Sequence, residues 1–194
     1  CWLPATPSIP PSPVLPCIRG GRRLPCVAMS AAPTSGQAAP PQQAAGAPRP
    51  DFTGSWILSR VDGPMNDFLK EIGFGFIKRN AAWTLNYGVG KMTNEITQSG
   101  NHIKIVTGGV SGLFTNDLEI DGSEQETEDS VEGRPCMAIP TWEPDGRTMT
   151  TVVRLSETGE MLPVTKRWLD GEEMVVEQTT SEGLVVRRYF TRDN

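Results

Sequence analysis

The side chains best suited to chemistry lie near the end of this 194-residue sequence. Arg187 and Tyr189 stand two positions apart in Leu184–Thr191, a run of strand-forming residues. Alternate residues of a strand share a face, so the guanidinium and the phenol point the same way. Together they suit an anion. A guanidinium holds a carboxylate by two parallel hydrogen bonds, and a neighbouring phenol can donate a third. A further arginine, Arg167, lies 20 residues upstream in another strand-like run, Met161–Leu169.

Other reactive groups are sparse. His102, the sole histidine, directly follows the turn Ser99-Gly100-Asn101. A haem ligand at that position is the alternative to an exposed strand-start residue. Glu124, Glu126, Glu128 and Asp129 read as an acidic loop rather than a tuned acid–base pair. No serine sits in a nucleophile-elbow pattern, and the cysteines Cys1, Cys17, Cys26 and Cys136 are not spaced for metal. The expectation is a binding protein without enzyme activity, metal or cofactor. Cys136 reads as a free, buried thiol.

Charge divides the chain. Residues 1–50 carry four arginines and no Asp, Glu or Lys, whereas the rest has a net charge of −9. An acidic body lacks the basic face that phosphate binding needs, which argues against nucleic acid. No run reaches the roughly 18 apolar residues of a membrane-spanning helix. Twelve of the 17 prolines fall in residues 1–50, among Ala, Ser, Gly and Gln. This leader offers little apolar surface to offset ordering entropy and is expected to be disordered. It reads as a flexible tail, starting at Met29 if that is the true start, or as the remnant of a plastid or other organelle transit peptide.

The domain is expected over residues 51–194. Pro64–Ile72 has Met65, Phe68, Leu69 and Ile72 at helical spacing, with Pro64 suited to a first turn and Gly73 to the exit. A second short helix is expected from Phe76 to about Trp83. Downstream, turn signals such as Asp121-Gly122, Asp145-Gly146, Asp170-Gly171 and Glu182-Gly183 separate short strands. Counting Phe52–Val61 at the front and a short Gln125–Val131 strand gives about ten. The fold class is therefore all-β: a ten-stranded antiparallel up-and-down barrel with two helices. Met174, Val176 and Gln178 share a face, opposed by Val175 and Glu177. Mixed polarity of that kind suits a wall that lines a wet cavity.

Several segments resemble one family. Asp51-Phe52-Thr53-Gly54-Ser55-Trp56, followed by Phe68-Leu69-Lys70-Glu71-Ile72-Gly73-Phe74-Gly75-Phe76, is similar to the opening of the intracellular fatty-acid-binding and cellular retinoid-binding proteins. Val131-Glu132-Gly133-Arg134-Pro135-Cys136, then Thr141-Trp142-Glu143, resembles the retinoid-binding branch. Arg187-Arg188-Tyr189 is similar to the family's terminal Arg-x-Tyr, and Arg167 matches the spacing of its second ligand-binding arginine. The resemblance implies a ligand-filled barrel under a helix-turn-helix lid. Arg167, Arg187 and Tyr189 would grip the carboxylate of a fatty acid or retinoid. Phe68, Phe76, Leu169, Met174 and Val176 are the expected cavity or portal residues, and Trp56 would close the barrel bottom. By parity, either Arg167 or Trp168 faces inward. A cytoplasmic monomer that touches membranes transiently during ligand transfer is expected. The alternatives are a catalytic or haem-binding barrel and a ligand-free interaction module.

Overall fold

The computed structural model describes residues 48–109, 112–129 and 132–193, which fall in one compact unit spanning 43–194. The leader over 1–47, with Met29 and the proposed transit segment, lies outside the described residues, as does Val131.

The described residues form ten strands and two α-helices. They are β1 (Gly54–Asp62), α1 (Met65–Glu71), α2 (Phe76–Thr84), β2 (Thr93–Ser99), β3 (His102–Gly109), β4 (Gly112–Glu119), β5 (Gln125–Glu128), β6 (Pro135–Trp142), β7 (Met149–Leu155), β8 (Val164–Asp170), β9 (Glu173–Thr179) and β10 (Val185–Arg192). Every ladder is antiparallel, and the order runs β4-β3-β2-β1-β10-β9-β8-β7-β6-β5. Apart from β4 and β5, strands consecutive in sequence are paired, and the first and last strands meet where β1 pairs with β10. The result is a nearly closed up-and-down barrel, which leaves little exposed strand edge.

The seam between β4 and β5 is stitched by side chains. Gln125 Nε2 donates to the Glu119 carbonyl and its Oε1 accepts from the Glu119 amide, both at 2.7 Å. Thr127 Oγ1 donates to Asn116 Oδ1 at 2.6 Å.

Inward-facing residues of all but β5 contribute to one apolar cluster that includes Trp56, Leu58, Ile103, Met174 and Phe190. One end of the barrel is plugged by aromatics. Phe52 and Trp142 stack with centroids 6.2 Å apart, and Trp56 Nε1 donates to the Phe52 carbonyl at 2.8 Å. Trp56 is therefore structural.

A seven-residue helix cannot hold itself together, so α1 depends on packing. Met65, Phe68 and Leu69 cluster with Val186 of β10. Full burial of Phe68 alone contributes about 1.5–3 kcal/mol. In contrast, α2 has no buried residue, and its Phe76, Ile77 and Trp83 are exposed. Its described ion pair to the barrel runs from Lys78 Nζ to Glu132 Oε1, at 2.6 Å. A 3-10 turn, Asn86–Gly88, then leads toward β2, with Asn86 and Tyr87 both at positive φ.

Candidate ligand-binding site

The hairpin of β9 and β10 decides which arginine enters the barrel. Its register sets Arg187 opposite Glu177 and Tyr189 opposite Val175, while Arg188 and Phe190 lie opposite Val176 and Met174. Met174, Val176 and Phe190 belong to the interior cluster, so Arg188 shares the inner face with them.

Arg187 and Tyr189 do share a face, but it is the outer one. The Arg187 side chain is 46% exposed, and its Nε donates to Glu177 Oε2 at 2.8 Å. That carboxylate raises the Arg187 pKa. The Tyr189 ring lies beneath the guanidinium of Arg60, 3.3 Å from its centroid, and Arg60 in turn pairs with Glu173 at 2.8 Å. The expectation of an inward Arg187–Tyr189 pair is corrected: alternation delivers Arg188 to the cavity instead. On the inner face, the expected Arg-x-Tyr becomes Arg188-x-Phe190, without a phenolic hydroxyl.

Arg167 faces inward and Trp168 outward. Arg167 has Met149 of β7 and Val176 of β9 as register partners, and both are buried in the apolar cluster. Trp168 lies across from Val175 on the outside, where Val175 sits between Trp168 and Tyr189.

Arg167 and Arg188 form the centre of the site. Burial lowers both guanidinium pKa values to about 10. Each nonetheless keeps accessible surface, as do the inward-facing Thr151, Thr165 and Gln178. A side chain surrounded by protein that still has accessible surface fronts an interior space. Here that space has a polar wall.

The two guanidinium groups are poorly satisfied. Each carries five N–H donors. Arg167 Nη1 meets the Met174 sulfur at 3.2 Å, and sulfur is a weak acceptor. Arg188 Nη1 donates to Gln178 Oε1, which holds the head group, but its Nε is buried without a partner. Among the described residues neither arginine forms an ion pair. Confining such a cation in a low-dielectric interior costs several kcal/mol.

The remaining expected residues divide. Phe68, on the underside of α1, is buried, and its ring centroid is 6.0 Å from the Arg188 guanidinium. Met174 and Val176 are buried on the inner face, and Leu169 packs against the same cluster. Phe76 is corrected as a wall residue: it is 69% exposed on α2, a helix with no buried residue. His102 points outward and meets Asp117 Oδ1 at 2.6 Å, so it is not placed to ligate a group inside the barrel. Cys136 is buried, with its thiol pKa pushed up by burial.

No family model matches the chain. It is 25% identical to cellular retinoic acid-binding protein 2 of Bos taurus over 144 residues, covering 74% of this chain and 99% of that relative. Retinol-binding protein 1 of Homo sapiens is 25% identical over 142 residues, covering 73% of the chain and 96% of the relative. The chain is thus similar to cellular retinoid-binding proteins along nearly the whole length of those relatives. Solved structures similar to this chain include human cRBP IV, at a TM-score of 0.59 and 21% identity, covering 74% of this chain and 99% of that one. Another is As-p18, an extracellular fatty acid binding protein, at 0.61 and 16%, covering 73% and 96%.

The sequence pattern marked the inner face of β9, including Gln178, but did not single out Arg188 and Phe190 as its partners on β10. Adjacent Arg187 and Arg188 offer the same chemistry to opposite faces. One signal was available. A hairpin folded about Ser181-Glu182-Gly183 brings Arg187 opposite Glu177, and opposite charges pair favourably across an outer face. That pairing leaves Arg188 for the interior.

Proposed function

We propose that this protein binds a long-chain carboxylic acid, of the fatty-acid or retinoid class, with its carboxylate between Arg167 and Arg188. One observation carries the reading: two enclosed guanidinium groups flank Val176 and have no carboxylate partner among the described residues. A ligand carboxylate would supply the absent charge and accept several of the spare N–H donors. Gln178 would orient Arg188, and Phe68 would cover it from the lid side.

The tail would lie against the apolar wall that includes Leu169 and Val176. Each methylene removed from water contributes about 0.8 kcal/mol, offset by the ordering of the ligand. The relatives are named as binding proteins, and binding without turnover is the activity proposed here. The protein would act as a monomeric cytoplasmic carrier, with brief membrane contact during transfer. Among the described residues no helix is long and apolar enough to cross a membrane.

Native mass spectrometry of the purified protein, combined with titration by a fluorescent fatty acid, tests the reading. Saturable one-to-one binding that is weakened in Arg188→Leu is expected. Absence of saturable binding at micromolar probe by the folded protein would overturn it.

A further inference from the structure

A second polar patch lies on the wall opposite the arginines. In a ring of ten strands, the strand five places away is diametrically opposed. By the observed order, β4 lies opposite β9 and β5 opposite β10. The site's arginines flank β9, so β4 and β5 form the wall that they face.

That wall presents amides and hydroxyls to the interior. Asn116 is the register partner of buried Ile105, and Thr127 lies across from buried Cys136, so both point inward. They are hydrogen-bonded to each other at 2.6 Å, and both keep accessible surface. Next to them, Thr107 Oγ1 donates to Asn94 Oδ1 at 2.8 Å, again on the inner face. Each threonine fixes one end of a carboxamide. The other end has no partner among the described residues.

A plain hydrocarbon tail fits this wall badly. Alkyl groups that displaced water there would leave the free carboxamide ends unpaired, which is penalised in a low-dielectric cavity. A hydroxyl on the ligand can both donate and accept, so it satisfies the amide whichever way the amide is turned. The barrel is roughly 15–20 Å across, backbone to backbone, from strand spacing and tilt. A chain anchored by its carboxylate on one wall therefore reaches the other near or beyond its middle.

We infer that the preferred ligand is an oxygenated long-chain acid: a carboxylate for Arg167 and Arg188, and a remote hydroxyl or carbonyl oxygen for Asn116 and Asn94. This rests on the carboxylate reading above and adds the second recognition point.

The test compares stearic acid with a hydroxystearic acid substituted near mid-chain, by displacement of a fluorescent fatty acid from the full chain. The hydroxy acid should bind about tenfold tighter, the value of one buried hydrogen bond. Asn116→Leu should abolish that preference by weakening the hydroxy acid while stearic acid binds as before or tighter. Thr127→Val, which keeps side-chain shape, should reduce the preference in the same direction and guards against a folding defect in the first variant. Equal or tighter binding of stearic acid by the unmodified protein, with binding still dependent on Arg188, would overturn the second recognition point alone. A preference that survives both substitutions would overturn it too. Binding of neither acid would remove the carboxylate reading and this inference together.

Discussion

Arg167 and Arg188 share a single register partner, Val176, which they flank from β8 and β10 on the inner wall. One row along, Glu177 is flanked in the same way by Lys166 and Arg187 on the outer wall. The outer row contains its own counter-ion and the inner row does not. The same three strands thus make a self-satisfied surface on one side and an electrostatic vacancy on the other.

Arg188→Leu should weaken binding of a long-chain acid by about 1.5–3 kcal/mol, the range for losing a charged hydrogen bond. Binding of the matching alcohol should change much less. Arg187→Ala should leave both unchanged, because its guanidinium lies outside and is paired with Glu177. Displacement titrations of acid and alcohol on the three proteins check this. Equal loss of acid and alcohol in Arg188→Leu would contradict the head-group assignment.

Arg167→Leu should stabilise the unliganded protein even as it weakens acid binding. It replaces a buried, unpaired cation with an apolar side chain of lower desolvation cost, for a gain of about 1–4 kcal/mol. Urea unfolding of delipidated protein reads the gain as a higher midpoint at constant slope. A lower midpoint would mean that the guanidinium stabilises the empty barrel.

That gain should depend on pH in a defined direction. The folded pKa of Arg167 is about 10, below that of an ordinary guanidinium, so the unfolded chain binds more protons between the two values. Stability of the unmodified protein rises with pH wherever that holds. The penalty is complete below pH 10 and is relieved as pH climbs from there toward the ordinary guanidinium value. The advantage of Arg167→Leu should therefore be flat through neutral pH and shrink above about pH 10. Paired unfolding curves across this interval provide the check.

The ion pair between Lys78 and Glu132 is exposed and ties α2 to the turn before β6. Such pairs contribute about 0–1 kcal/mol. Lys78→Met should accelerate ligand exchange by no more than about fivefold while leaving equilibrium affinity nearly unchanged. Stopped-flow displacement of a fluorescent fatty acid reads both. A large loss of affinity would place Lys78 in ligand recognition instead of lid closure.

Much of this protein was determined by sequence alone. Gly- and Asp-containing turns at short intervals, and apolar residues at helical spacing in Pro64–Ile72, fix the ten strands and α1 because these signals act locally. The inner face of β9 was legible for the same reason, since Met174, Val176 and Gln178 follow one another at period two. Only the tertiary structure decided between Arg187 and Arg188, and between Arg167 and Trp168. Each is a choice of face between adjacent residues, and cross-strand register settles it, which the periodicity within one strand does not. Phe76 failed as a wall residue on similar grounds. Its apolar character is local, but burial needs an opposing surface, and no side chain of α2 is fully buried.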